Sequence, residues 1–237
     1  MIAPHGTGAE HRTSTPARIS VGRAGTRPTT GELLRLRADH AAARDAVLGM
    51  VDPAGPEKWG CLLALESRAP DREAYIARPE DGRRLAAGEA ERLAEWAPGG
   101  CDVLVAVADG LSCAAVEVQV PRVIPALLAA LGREGVGRVE GPVFVRNGRV
   151  GIVDPLGAAT GARLVILLVG ERPGLSTAES LSIYFAFDPG PGRTDADRNV
   201  ISNIHSSGTL PEQAALQAAS WARRMLDEGV GGVRFRP

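Results

Sequence analysis

Two continuous apolar runs constrain this chain more than any other feature. Asp102-Val-Leu-Val-Ala-Val-Ala108 and Ala162-Arg-Leu-Val-Ile-Leu-Leu-Val-Gly170 show almost no alternation of apolar and polar residues. A strand with one wet face alternates with a period of two, whereas a strand covered on both faces does not. Each run also stops abruptly in turn chemistry, Asp109-Gly110 in one case and Glu171-Arg-Pro-Gly174 in the other. Both read as central strands of a parallel sheet.

The rest of the pattern fits around them. A helix is expected after Thr29 and Glu32, which have capping-box spacing. Leu33, Leu36, His40, Ala43, Val47 and Met50 follow as one helical face. His40 on that face reads as a core or interface histidine. Short strands are expected at Leu62–Leu65 and Ala74–Ala77, and a helix from about Arg83 to Trp96. Pro98-Gly99-Gly100 reads as a linker. Beyond it, a helix is expected from near Pro121 to Gly135. A strand at Pro142–Val145, a turn at Arg146–Arg149, and strands at Ser182–Phe187 and Asn199–Ile204 follow. A last helix opens at Thr209 and Glu212, a second capping-box pair, and stops at Gly229. The fold class is α/β. A polar tail, residues 1–16, reads as disordered; residues 17–98 form a mainly helical N-terminal region; residues 99–237 form a doubly wound, Rossmann-like parallel sheet domain.

Composition mostly excludes. Hydrophobic residues make up 44% and charged residues 23%, and the formal net charge is −1, which gives no basic face for nucleic acid. Nearly all the basic residues are arginine, so a single arginine says little about an anion site. The three cysteines have no C-x-x-C spacing and suit neither a disulfide framework nor a zinc site, which favours a reducing cytoplasm. The N-terminus lacks the apolar core of a secretory signal. The longest apolar run, Leu164 to Gly170, is too short to span a bilayer, so no membrane partner is expected.

Ligands of open parallel sheets bind at the carboxyl ends of the strands. Three polar, glycine-containing loops leave strand ends here: Asp109–Ser112, Gly170–Gly174 and Ser202–Gly208. Glycines in such loops can equally serve only the turn. Sharper motifs are missing. There is no G-x-G-x-x-G after a strand, which disfavours a nucleotide-dependent oxidoreductase, and no Walker loop. Ser112 lacks the second glycine of a nucleophile elbow. The histidines, at 5, 11, 40 and 205, form neither a metal triad nor a catalytic pair. A chain this poor in catalytic groups reads as a cofactor-holding subunit.

The segments LLVGERPGLSTAESLSIY and DADRNVISNIHSSGTLPEQAA closely resemble the small (light) subunit of ethanolamine ammonia-lyase. So do VGRAGTRPTTGELLRLRADHAAARDAVL, YIARPEDGRRL, VADGLS and FVRNGRV, and together they reach from about Ile19 to Leu226. The resemblance implies a carbon–nitrogen lyase that uses adenosylcobalamin to convert ethanolamine to acetaldehyde and ammonia by radical chemistry. It implies a large, barrel-shaped partner subunit that holds the substrate. This chain would close over the cobalamin from the other side, so no catalytic residue and no metal ligand are assigned to it.

Three cofactor contacts carry over from the family pattern. Val150, in Gly148-Arg-Val150, matches an apolar contact; Glu171, in the GERPG turn, matches a carboxylate; Val200 stands where the family usually has cysteine. Asn203-Ile-His205-Ser-Ser-Gly208 approximates D-x-H-x-x-G, by which some cobalamin proteins offer histidine to cobalt, but Asn replaces the orienting Asp. The resemblance implies that benzimidazole stays on cobalt and that His205 is structural. Cytoplasm is the expected location, with an ethanolamine-degrading bacterial microcompartment as the alternative. The competing reading is a non-catalytic corrinoid carrier or flavodoxin-like binding module.

Overall fold

The Ala162–Gly170 run is the backbone of the molecule: every residue in it except Arg163 is buried. The structure is a computed structural model that describes residues 21–236, and the tail assigned to residues 1–16 lies outside the described residues. In chain order a short hairpin (β1, Arg23–Ala24; β2, Arg27–Pro28) leads into α1 (Thr30–Leu48) and α2 (Gly55–Lys58). Then come β3 (Leu63–Glu66), α3 (Arg72–Ala77), α4 (Glu89–Trp96), β4 (Cys101–Ala108), α5 (Cys113–Arg133), β5 (Val139–Arg146) and α6 (Val153–Thr160). The chain continues through β6 (Ala162–Gly170), β7 (Leu181–Phe187), β8 (Arg198–Ile204) and α7 (Pro211–Glu228).

Six strands form one mixed sheet in the order β3-β5-β4-β6-β7-β8. The pairs β3/β5, β5/β4 and β4/β6 are parallel, and β6/β7 and β7/β8 are antiparallel. The wholly parallel sheet expected from sequence is therefore corrected at its last two strands. The reason is connection length. Residues 171–180 join β6 to β7 without a helix, and a parallel crossover needs a dozen or more residues, usually helical. β3, within the stretch read as mainly helical, is an edge strand of this same sheet.

Helices cover both faces. On one, Val123 and Leu127 of α5 and Ala215 and Ala219 of α7 pack with Val105, Ile166 and Phe185. On the other, Leu93 of α4 and Leu156 of α6 pack with Leu104, Val165 and Leu167. Full burial of one such leucine contributes about 1.5–3 kcal/mol, so the central strands dominate the fold's stability. Among the described residues, α5 alone has the length and apolar character to cross a bilayer, and half of its most apolar window is buried inside the molecule.

Several local readings change. α5 begins at Cys113, eight residues before Pro121, because Ser112 caps it: its hydroxyl accepts from the Ala115 N–H at 3.1 Å. Pro121 and Pro125 lie inside the helix, on its exposed side with Glu117. There, water can satisfy the carbonyls that proline leaves without an N–H. Residues 74–77 are helical, not a strand, because the Asp71 carboxylate accepts from the Ala74 N–H at 2.7 Å and caps α3. The helix expected from Arg83 starts only at Glu89, after Gly88 at φ +82°. Thr29 does cap α1, but Thr209 does not cap α7, whose N-cap is Leu210. The predicted apolar face of α1 is only partly covered: Leu33, His40 and Met50 are exposed. His40 is thus not in the core of this chain.

Candidate functional site

The carboxyl ends of β4 and β6 lie side by side, and two glycines let their loops touch. Gly110 has φ +59°, and a Cβ there would lie 2.3 Å from the Gly170 carbonyl oxygen. A Cβ on Gly170 would lie 2.2 Å from the Ser112 carbonyl oxygen. Any side chain at either place would push the loops apart. Leu111 N–H donates to the Gly170 carbonyl at 3.0 Å, and the Ser112 hydroxyl donates to the Ala178 carbonyl at 2.5 Å. The helix after β4 goes to one face of the sheet and the helix after β5 to the other. The winding thus reverses across this point, where open α/β sheets form a ligand crevice.

A cleft of about 550 Å³ occupies that position. Its floor is Gly110, Leu111, Val169 and Gly170; Arg149, Val150 and Gly151 follow from the end of β5. Ser182 and Tyr184 of β7 and Val200 and Ser202 of β8 form a further wall. Val150, Glu171 and Val200, fifty residues apart in sequence at their extremes, all line it.

Glu171 is held before any ligand arrives. Its Oε2 accepts from the Ser180 hydroxyl at 2.5 Å, and its Oε1 accepts from the Ser182 hydroxyl at 2.6 Å and the Asn203 N–H at 2.9 Å. The last contact depends on a β-bulge. Leu181 pairs with Ile204 but Ile183 pairs with Ile201, so β8 carries one extra residue there. Asn203, at φ +61°, takes up the extra residue in the left-handed region that asparagine tolerates. The bulge turns the Asn203 N–H toward Glu171. An ionised carboxylate offers about four lone-pair directions, so one remains for a ligand donor.

Beneath the cleft lies a buried charged group. Arg72 Nε donates to the Val47 carbonyl at 2.6 Å, and Arg72 Nη1 lies 3.9 Å from Asp109 Oδ2. Asp109 Oδ1 accepts from the Gly148 N–H at 3.2 Å. Burial pushes the Asp109 carboxyl above its ordinary range, with Arg72 pulling it back. Burial prevails because 3.9 Å is an ion-pair contact without a hydrogen bond. The guanidinium carbons of Arg72 and Arg149 lie 4.5 and 4.3 Å from the centroid of the Tyr75 ring. Burial raises the Tyr75 hydroxyl to about 12, against the opposing pull of Arg149. The Tyr184 hydroxyl is raised too, first by burial and then by the charges of Glu171 and Asp195.

His205 is engaged at both ring nitrogens. Nδ1 accepts from the Ser207 N–H at 3.2 Å, which leaves Nε2 to donate to Asn203 Oδ1 at 2.7 Å. Its side chain is buried and holds the loop after β8, so neither nitrogen is available as a ligand without breaking that loop. Ser112 is a helix cap.

The model of one protein family, described as ethanolamine ammonia-lyase light chain (EutC), matches residues 7–236 of the 237. The chain belongs to the ethanolamine ammonia-lyase light-chain family. Membership makes it a subunit of a lyase complex and implies a large partner subunit.

Sequence reading of this light chain found the three residues on the cleft but not their setting. Ser180 and Ser182, which fix Glu171 with Asn203, carry no sequence signal of that role, and Asn203 stands out in the sequence only as the residue in place of an orienting aspartate. Period-two alternation could have indicated Ser182 and Tyr184, since Leu181, Ile183 and Phe185 fill the opposite, buried face. Arg83 and Arg149 were invisible among so many arginines.

Proposed function

We propose that this light chain is the cobalamin-holding small subunit of adenosylcobalamin-dependent ethanolamine ammonia-lyase. The observation that carries the reading is the convergence of Val150, Glu171 and Val200 on one cleft at the carboxyl ends of β4 and β6. The donor set suits a corrinoid. Val150, Val200 and Leu111 offer apolar surface to a macrocycle. Glu171 offers an acceptor to peripheral amide or ribose donors, and the Ser182 and Ser202 hydroxyls can exchange hydrogen bonds with amides. We read the α/β part as a Rossmann-like, doubly wound variant whose antiparallel strands β7 and β8 build one wall of the site.

When bound, adenosylcobalamin supplies homolytic cobalt–carbon cleavage, the start of radical deamination of ethanolamine to acetaldehyde and ammonia. The residues of this chain orient and seclude. Glu171, fixed by Ser180, Ser182 and Asn203, presents its remaining lone pair at a set position. Val200 is 41% exposed in the isolated chain, an apolar surface that a macrocycle would cover. A corrin with its amide side chains is larger than the cleft, so its opposite side would face the large subunit, where the substrate is turned over.

Co-expression with the large subunit tests this reading. Acetaldehyde should form from ethanolamine only when both chains and adenosylcobalamin are present. Turnover by this chain alone, or by the large subunit at full rate without it, would overturn the proposal.

A further inference from the structure

We infer that Arg83, with Arg149 beside it, is the anion subsite of the cleft and receives the phosphodiester of the corrinoid's nucleotide tail; this rests on the cobalamin reading above. The charges in the cleft are unequally satisfied. Its carboxylates already have partners: Glu171 accepts from Ser180, Ser182 and Asn203, and Asp195 pairs with Arg198. Its guanidiniums are less fully satisfied. Among the described residues neither Arg83 nor Arg172 has a side-chain partner. Arg149 donates through Nη2 to the Tyr75 carbonyl at 2.8 Å, while its buried Nε has no acceptor. A cleft with satisfied acids and unsatisfied guanidiniums favours an anion, and in cobalamin the phosphodiester is the anionic group.

Packing selects Arg83 over Arg172. The turn Asp81–Arg83 is locked to the strand-end loop, because the Arg149 N–H donates to the Gly82 carbonyl at 2.7 Å. A Cβ on Gly82 would lie 2.9 Å from the Asn147 carbonyl oxygen. The Arg83 stem lies over Gly151, where a Cβ would come 3.0 Å from Arg83 Cγ. Arg83 and Arg149 are thus held on one rim. At that rim the cleft opens into a second groove of about 1020 Å³, and Arg83 and Gly151 line both. A tail leaving the edge of a corrin has room there. The groove beyond that rim adds no further site for an anion: Arg193 and Arg198 pair with aspartates, and of its remaining charges besides Arg83 the glutamates Glu80 and Glu91 outnumber Arg84. The anion therefore belongs at the rim.

The test is spectral titration of the complex of this chain and the large subunit with two corrinoids. Cobalamin carries the phosphodiester and nucleotide; cobinamide lacks both. Arg83→Ala should weaken cobalamin by roughly tenfold and leave cobinamide within about twofold of wild type. Arg83→Lys should recover part of the loss, since a point charge still attracts phosphate. The salt dependence of cobalamin affinity should flatten in Arg83→Ala and return in Arg83→Lys, a readout that stands even if cobinamide binds weakly. Glu171→Gln should weaken both corrinoids. Equal loss on both corrinoids in Arg83→Ala, or no loss on either with an unchanged salt dependence, would overturn the inference and leave the cobalamin reading standing. A wild-type complex that binds neither corrinoid would overturn both.

Discussion

Replacing Glu171 by Gln keeps the side chain's shape and removes its charge. The effect can be worked from its three donors. Oε1 receives a hydroxyl and a backbone N–H, from Ser182 and Asn203, and the N–H cannot reverse its polarity. The amide oxygen of Gln must therefore take the Oε1 place, and the NH₂ must face Ser180. The Ser180 hydroxyl, which donates to Oε2 in the parent, can rotate and accept. No bond need be lost, but all three lose charge assistance. A hydrogen bond to a charged group contributes about 1.5–3 kcal/mol and a neutral one about 0.5–1.5 kcal/mol. For the fold, with partial solvent access and the Ser180 reversal, the net loss should be roughly 1–2 kcal/mol. The cofactor loses a separate bond, because the NH₂ stands where Oε2 kept its free lone pair; a hydrogen bond to a charged acceptor is worth about 1.5–3 kcal/mol, about tenfold or more in affinity. In the two-subunit complex, cobalamin affinity measured by absorption titration should fall about tenfold, with thermal unfolding of the complex a few degrees earlier. An affinity within twofold of wild type would remove Glu171 from the site. A collapse of the fold would show that the carboxylate serves structure first.

At Val200, cysteine should change cofactor affinity and turnover little, because a buried thiol packs as a small apolar group. Val200→Asp should abolish binding by setting an unpaired charge against the corrin; a large rise in turnover from Val200→Cys would contradict the apolar role. Asp109→Asn should not destabilise the chain in urea unfolding at neutral pH and should stabilise it slightly, because burial opposes the Asp109 charge more than Arg72, 3.9 Å away, supports it; a loss of about 3 kcal/mol or more would show that the ion pair dominates. Burial raises the Asp109 carboxyl in the folded state, so as pH falls the folded parent takes up this proton before the unfolded chain does and gains stability; the variant's advantage should therefore narrow toward acid, and a constant difference would refute this. Burial lifts Cys61 from 9.0 to about 12, so its thiolate fraction at pH 8 is about a thousandfold lower than usual. A thiol reagent should label Cys61 only on unfolding, and rapid labelling of the native chain would contradict its burial.

How much of this was legible in the sequence depends on how local the cause is. β4 and β6 could be read because full burial on both faces leaves an unbroken apolar run. α5 was misjudged because proline usually starts or stops a helix, and only the sheet decides which side of α5 faces water and can carry Pro121 and Pro125. α6 was missed because Pro155 and Gly157 break its pattern, yet Gly157 is required where a Cβ would meet Pro189 Cγ at 2.1 Å. The antiparallel turn-back of β7 was hidden because strand direction is set by connection length and packing rather than by composition. At the site, Val150, Glu171 and Val200 came from family likeness. Their common cleft came from the strand order, and the bulge at Asn203 leaves no mark in the sequence beyond a residue that tolerates positive φ.

Hydrogen–deuterium exchange on the assembled two-subunit complex, with and without cobalamin, tests the central claim most directly. The claim is that cobalamin sits against the carboxyl ends of β4 and β6. It predicts cofactor-dependent protection of the Arg149–Gly151 loop, the Gly170–Arg172 turn and the Val200–Asn203 end of β8, with α7 unchanged. Cobalamin binding that leaves those three segments at their cofactor-free exchange rates would contradict it.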